Sequence, residues 1–335
     1  MSFGQINQSL NRREKAINNS ITDKVRVMIN GHLMGLIIKG QNTSNPILLF
    51  VHGGPGMPEY FLSQKYGTGL EEHFVVVYWD QRGCGLSYHS KIDKGTMTVD
   101  QYVEDTIDLT NYLIKRFRQD KIYLMAHSWG TYFSLLVMKK APKLYKAYIA
   151  VAQVTNQDES EKIAYQYMLD YYSKVRDKKA IEQLKKKPYP SRGYNKIRDA
   201  YMHRAGIGTT HKMKSVLKGI FLASLLNKEY TILEKINLWR GKLFVNKNTQ
   251  LNMKHDLREI VTSLEVSTYF FSGIYDYTVN YQLTGNYLAE LIAPLKGFYL
   301  FESSAHSPIF EEPDKVVHIM INDVLHNKNI LASMI

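Results

Sequence analysis

The sequence predicts an α/β fold: a mostly parallel central sheet with helices on its faces, interrupted by one all-helical insertion. Three observations carry this. The runs Ile47-Leu48-Leu49-Phe50-Val51 and Phe74-Val75-Val76-Val77-Tyr78-Trp79 are apolar without alternation, as central strands covered on both faces must be. After the second run, segments with helical spacing alternate with further strands at intervals that suit βα units. From about Thr155 to Glu265 the pattern is helical only, and a strand pattern returns at Ser267-Thr268-Tyr269-Phe270-Phe271.

In chain order, Asp23 to Asn30 alternates as a strand, Gly31-His32 signals a turn, and Leu33 to Lys39 is a second strand, so the chain opens with a hairpin. The strand over residues 47–51 runs into His52-Gly53-Gly54-Pro55-Gly56, and that over 74–79 into Asp80-Gln81-Arg82-Gly83-Cys84-Gly85-Leu86-Ser87. Thr98-x-x-Gln101 reads as a capping box ahead of a helix carrying Val103, Ile107, Ile114 and Phe117 on one face. Lys121 to Met125 is the next strand, followed by a helix through Leu135 and Met138, and then a strand at Ala147 to Val154. Helices are predicted over Ser160 to Val175, Ala180 to Lys187, Gly193 to His203, Lys212 to Leu226 and Glu229 to Leu238, with Pro188, Pro190 and Gly206 as breaks. A last strand, Gly297 to Phe301, and an amphipathic helix, Pro313 to Leu325, close the fold. The expected division is a core over 1–152 and 266–335 with a helical cap over 153–265 between its two parts.

Composition narrows the function classes. The 44% hydrophobic and 22% charged shares are those of a soluble globular protein. One cysteine, Cys84, allows no intramolecular disulfide and fits a reducing compartment. Met1 to Ser20 is polar without an apolar h-region, and no uncharged run of about 18 residues exists, so a cytoplasmic protein without a membrane partner is expected. The net charge of +12 is concentrated: residues 153–265 hold 22 Lys/Arg against 12 Asp/Glu, a local excess of +10. No aromatic-interleaved basic motif accompanies it, so a solvated helical surface is expected rather than a nucleic-acid partner. No His-Glu-x-x-His or Cys/His cluster suggests a metal, and the glycine loop lacks a nucleotide-binding pattern.

The chemistry centres on Ala126-His127-Ser128-Trp129-Gly130. It reads as a strand end, a sharp turn with Ser128 at its tip, and a helix start, which is a nucleophile elbow. The turn brings helix and strand so close that the flanking positions must be small. A serine nucleophile needs a base in hydrogen-bond reach, an acid to orient that base, and donors for an oxyanion. Asp276 follows the strand ending at Gly273, and His306 follows the strand ending at Phe301. Each alone could be an ordinary loop residue, but the order Ser, Asp, His on successive strand-end loops predicts a triad of Ser128, His306 as base and Asp276 as orienting acid. The oxyanion donors would be the amide of Trp129 and one from the glycine loop, Gly54 or its neighbour Gly53.

Together, His52-Gly53-Gly54-Pro55-Gly56, Asp80-Gln81-Arg82-Gly83-x-Gly85-x-Ser87 and the Ser128 elbow resemble the proline iminopeptidase (prolyl aminopeptidase) branch of the α/β-hydrolase superfamily. The core resemblance covers about residues 25 to 152 and 266 to 325. It implies an α/β-hydrolase fold, a helical cap, a Ser-Asp-His triad, no cofactor, and structural roles for Asp80 and Arg82. In family members that remove an N-terminal proline, acidic cap residues bind the substrate's ammonium. Glu159, Glu161, Glu229 and Glu234 are the cap acids available for that role, and Tyr165, Tyr167, Tyr171 and Tyr172 could line a pocket or simply pack.

The expected function is therefore a serine hydrolase acting through an acyl-enzyme, releasing proline or another small N-terminal residue from short peptides. An esterase or acyltransferase on a small anionic substrate is the alternative raised by the basic cap, and a non-catalytic binding protein on the same scaffold is a remote one. Substrate identity and oligomeric state are not legible.

Overall fold

The computed structural model describes residues 19–249 and 256–334. Most of the polar N-terminal stretch and the segment 250–255 of the expected cap lie outside these residues.

Eight strands form one sheet. Strands β1 (Ile21–Ile29) and β2 (His32–Gly40) make the opening hairpin around Asn30-Gly31, both with positive φ, as a tight turn between twisted strands requires. After β3 (Ile47–Val51) and the short helix α1 (Tyr60–Tyr66), β4 (Val75–Asp80) pairs antiparallel with β2 and parallel with β3. Helix α2 (Val99–Phe117) leads to β5 (Ile122–His127), and α3 (Trp129–Lys140) to β6 (Tyr145–Val151). The sheet order is β1-β2-β4-β3-β5-β6-β7-β8, parallel from β4 onward, with β7 (Ser267–Gly273) and β8 (Lys296–Phe301) added after the helical stretch. Helix α2 starts where the Thr98 hydroxyl accepts the Gln101 amide at 3.2 Å. The predicted box is only half made, because the Gln101 side chain donates to Asp105 instead.

Side chains along each central strand alternate between two cores. Ile47, Leu49 and Val51 join Val77, Leu124 and Phe133 on the face covered by α2 and α3; Leu48 and Phe50 join Val76, Met125 and Phe61 on the face covered by α1. This double burial explains the missing alternation in the sequence.

Between β6 and β7 the described residues form helices and no strand. These are α4 (Gln157–Lys174), α5 (Lys178–Lys186), α6 (Arg192–Ala205), α7 (Leu222–Leu226), α8 (Ile232–Asn248) and the single turn α9 (Leu257–Ile260). The side chains of Asn156, Asp177, Ser191 and Thr231 cap the helices α4, α5, α6 and α8. The predicted helix over 212–226 starts only at Leu217, with a π turn to Phe221. In that turn Gly219 packs on Met213: an added Cβ would lie 2.4 Å from the Met213 sulfur. Helices α4, α5 and α6 share a small core of their own around Met168, Tyr172, Leu184 and Tyr194. Not legible in the sequence were α1, α10 (Tyr281–Glu290) and the single turns α9 and Pro308–Glu311. The chain then passes through β8 to α11 (Pro308–Glu311) and α12 (Pro313–Ile319), and the predicted C-terminal helix ends in a π turn over Met320–Val324. Among the described residues no helix is long and apolar enough to cross a membrane.

Candidate active site

Ser128 sits at the carboxyl end of β5 with φ 51° and ψ −122°, a conformation that L-residues seldom adopt. Neighbouring bonds hold it there. Its amide donates to the Val151 carbonyl at 2.9 Å, and its carbonyl accepts from the Thr131 amide at 2.8 Å and the Thr131 hydroxyl at 2.6 Å. A Cβ on Gly130 would lie 2.6 Å from the Val51 carbonyl oxygen and 2.7 Å from that of His52, so the helix can approach β3 only because Gly130 has none. Ala126, two residues before Ser128 on β5, is fully buried.

His306 lies on the loop between β8 and α11, and Asp276 on the loop after β7. The structure joins them to the serine: His306 Nε2 is 2.7 Å from Ser128 Oγ, and His306 Nδ1 is 2.9 Å from Asp276 Oδ2. Asp276 is fully buried, and its Oδ1 accepts the amides of Thr278 and Val279, both at 2.9 Å. With Oδ1 engaged, Oδ2 is left to accept from Nδ1–H, which leaves Nε2 without a proton and able to take one from the serine. The His306 loop is fixed by Glu311, whose carboxylate accepts the amides of Ala305 (2.8 Å) and His211 (2.6 Å). Burial pushes the Glu311 carboxyl up to about 7 despite these donors.

The glycine loop lies against the elbow. A Cβ on Gly53 would stand 3.0 Å from Ser128 Cβ, and Gly54, at φ +122°, lines the cavity above the serine. Trp129 is the first residue of α3, where helix amides lack intrahelical acceptors. The loop is tied to the segment after β4 through His52, whose Nδ1–H donates to the Gly53 carbonyl (2.8 Å) while Nε2 accepts the Gln81 amide (3.2 Å). Burial lowers this imidazole's pKa to about 4, which suits the acceptor role. Asp80 and Arg82 do not pair with each other. Arg82 forms a buried two-point ion pair with Asp105 at 2.7 and 2.8 Å, and Asp80 accepts the Leu86 amide at 2.7 Å. Burial raises the Asp80 pKa to about 7. Cys84 is fully buried, which raises its thiol well above the ordinary range and makes it a packing residue.

A cavity of about 260 Å³ opens over Ser128, walled by Gly54, His127 and His306 from the sheet side and by Met202, Ile220 and Lys242 from the helical stretch. The four cap carboxylates expected at this cavity do not line it. Glu159 pairs with Arg258 at 2.7 Å, Glu161 with Arg198 at 2.5 Å, Glu229 with Lys39 at 2.8 Å and Glu234 with Lys24 at 2.9 Å. The four tyrosines of α4 do not line it either, and Tyr172 is part of the helical core. Sequence reading overlooked the two carboxylates that do line the cavity: Asp199, bonded to Arg198 at 2.8 Å, and Glu59, whose Oε1 is 2.7 Å from His127 Nδ1. Its place just past the glycine loop, in Met57-Pro58-Glu59, was the available signal. Burial alone would lower the His127 pKa, but the Glu59 carboxylate and the His306 carbonyl, 2.9 Å from Nε2, raise it above the ordinary value. Among the described residues, no group of three or more His, Cys, Asp or Glu is placed to hold a metal.

The family model for the alpha/beta hydrolase fold matches residues 46–313. The chain belongs to the α/β-hydrolase family. It is an enzyme of that family, and the relatives of this hydrolase include peptidases. It is 33% identical over 297 residues to the protein named probable aminopeptidase YbaC of Bacillus subtilis (strain 168), covering 87% of this chain and 93% of the relative. It is 24% identical over 299 residues to the proline iminopeptidase of Clostridioides difficile (strain 630), covering 84% and 91%. Among solved structures, a proline iminopeptidase-related protein from Thermus thermophilus superposes with a TM-score of 0.61 at 20% identity, covering 91% of this chain and 98% of that one. That last likeness bears on the fold alone.

Proposed function

We propose that this hydrolase is a serine peptidase that removes one residue, proline or another small one, from the amino end of short peptides. The observation that carries the reading is the unbroken chain from Ser128 Oγ through His306 to Asp276, at 2.7 and 2.9 Å, opening into a single small cavity. The kinship with a protein named as an aminopeptidase supports the peptide substrate.

In this mechanism Ser128 Oγ attacks the scissile carbonyl carbon as its proton passes to His306 Nε2. The carbonyl oxygen becomes an oxyanion, held by the amides of Trp129 and Gly54. His306 then protonates the leaving nitrogen as the C–N bond breaks, leaving an acyl-serine and the shortened peptide. Water, deprotonated by the same imidazole, attacks the acyl carbon and restores Ser128. Asp276 keeps the proton on Nδ1 throughout and stabilises the imidazolium that forms in each half. The helical stretch over 153–265 acts as a cap whose inner side chains limit entry to small substrates, so an exopeptidase fits better than an endopeptidase.

A second reading, an esterase or acyltransferase on a small anionic substrate, draws on one feature, the Lys242 side chain in the cavity wall. Initial rates on prolyl and other aminoacyl 7-amido-4-methylcoumarins beside p-nitrophenyl acetate and butyrate, each with a Ser128→Ala control, separate the two. Prolyl-amide turnover that vanishes in Ser128→Ala is expected. Ester turnover without aminoacyl-amide turnover would discard the peptidase reading and keep the nucleophile.

A further inference from the structure

Two opposite charges in the cavity wall have a bonding capacity that the protein leaves unused. Glu59 is 7% exposed; its Oε1 is taken by His127, while its buried Oε2 has no hydrogen-bond partner. A buried carboxylate oxygen without a donor is costly, and a ligand donor would relieve it. His127 cannot supply that donor, because its other nitrogen faces the His306 carbonyl at 2.9 Å.

Lys242 of α8 lines the same cavity from the helical side. Among the described residues its ammonium makes no hydrogen bond or ion pair with an acid, and its near contact is the face of the Trp239 ring, 5.3 Å from the centroid. Burial lowers its pKa, and the Asp199 carboxylate, which acts the other way without bonding to it, does not offset this. Arg198, the other cation in the wall, is already held by Glu161 at 2.5 Å and Asp199 at 2.8 Å. Asp199, the other carboxylate in the wall, is exposed and already bonded to Arg198 at 2.8 Å, so the cavity offers one buried acceptor without a partner, on Glu59, and one donor without a partner, on Lys242.

We propose that the cavity is a zwitterion site: Glu59 takes the free α-ammonium of the residue that acylates Ser128, and Lys242 takes the free carboxylate of the leaving residue. The substrate class is then the free dipeptide. This rests on the peptidase reading above. Glu59 belongs to the acyl side because it lies beside the nucleophile: the point where a Gly53 Cβ would sit is 3.0 Å from Ser128 Cβ and 3.4 Å from Glu59 Oε1. An α-ammonium, two bonds from the scissile carbonyl carbon, falls within that reach. The volume of about 260 Å³ lies below the roughly 300–1,000 Å³ of ordinary ligand sites, in keeping with a two-residue substrate.

The test compares kcat/KM for prolyl-alanine, N-acetyl-prolyl-alanine and prolyl-alaninamide in the wild type, Glu59→Gln and Lys242→Met. In the wild type, N-acetylation is expected to cost at least about 10-fold, as for a lost charged hydrogen bond. Amidation is expected to cost about 3- to 10-fold, less because Lys242 is only half-buried. In Lys242→Met the free and amidated dipeptides should become equal substrates. In Glu59→Gln, prolyl-alanine should lose about 10- to 100-fold relative to p-nitrophenyl acetate, which has no ammonium. A structural role for either side chain would lower all substrates together and leave these ratios as they are in the wild type. An acetylated dipeptide cleaved as fast as the free one, or an amidation penalty that persists in Lys242→Met, overturns the zwitterion site while the peptidase reading stands. Failure of the wild type to cleave any of the three or any aminoacyl coumarin amide, with p-nitrophenyl acetate still turned over, overturns both.

Discussion

Replacing Asp276 by Asn should cost about 10⁴-fold in kcat while the fold survives, and the reason lies in which oxygen does what. Oδ1 accepts two backbone amides, from Thr278 and Val279, and Oδ2 accepts from His306 Nδ1. An asparagine must choose one orientation. With its oxygen toward the two amides, its NH2 faces Nδ1 and forces that nitrogen to accept. The opposite orientation sets an NH2 against two N–H donors and leaves both unsatisfied, at about 1–3 kcal/mol each, so the first is favoured. In it the imidazole proton moves to Nε2, the atom 2.7 Å from Ser128 Oγ, and His306 can no longer take the serine's proton. Loss of this tautomer in a serine triad costs about 10⁴-fold. The assay is kcat on the best coumarin amide or p-nitrophenyl ester, with a thermal melt to show that the variant is folded. A loss below about 10-fold in a folded variant would refute the assigned role of Asp276.

Three further outcomes follow from buried contacts. Gly130→Ala should destabilise the protein by about 1–3 kcal/mol in urea titrations, since its Cβ would meet two carbonyl oxygens at 2.6 and 2.7 Å; a neutral result would mean that β3 and α3 can part freely. Asp105→Ala should cost about 3–5 kcal/mol, because it strands the buried Arg82 guanidinium, whose side chain is 4% exposed; urea midpoints within a few tenths of a molar of the wild type would contradict this. The third concerns pH. Burial lifts the Asp80 pKa from an ordinary value near 4 to about 7, so the folded state holds a proton that the unfolded chain releases. That stability is complete below pH 4 and is lost as pH rises toward 7. Glu311 titrates in the same window, so the informative quantity is the difference between Asp80→Asn and wild type, whose amide can still accept from Leu86. The variant should gain on the wild type between pH 5 and pH 8, and a pH-independent difference would refute the assignment.

Most of the sheet was legible because its strands are buried on both faces. A run such as residues 47–51 has one physical explanation, and its bounds in the structure, Ile47–Val51, are those the sequence suggested. The loops that carry Ser128, Asp276 and His306 were legible for a related reason, since each leaves the carboxyl end of a parallel strand and so emerges at the same edge. Helices α1 and α10 were missed because their apolar positions are few and the adjoining segments carry the motifs that draw attention. The extent of the helix near residue 217 was misjudged because periodicity cannot see that Gly219 is spent on contact with Met213.

The contents of the cavity were not legible, and the reason is electrostatic. A segment with an excess of +10 suggests an anionic ligand when its charges are simply counted. Charges act on a ligand according to whether they already have partners, and partners are a property of the fold. Arg198 and Arg258 each meet two carboxylates, and Glu161, Glu229 and Glu234 are each held by a cation, so the charges that suggested recognition largely cancel in pairs. What remains buried and unpartnered in the cavity wall is one carboxylate oxygen from the core loop, beside one ammonium from α8, with Asp199 exposed and bonded to Arg198. A ligand matched to that remainder is close to neutral overall and charged at both ends, and it should bind with much weaker salt dependence than the net charge of the segment implies.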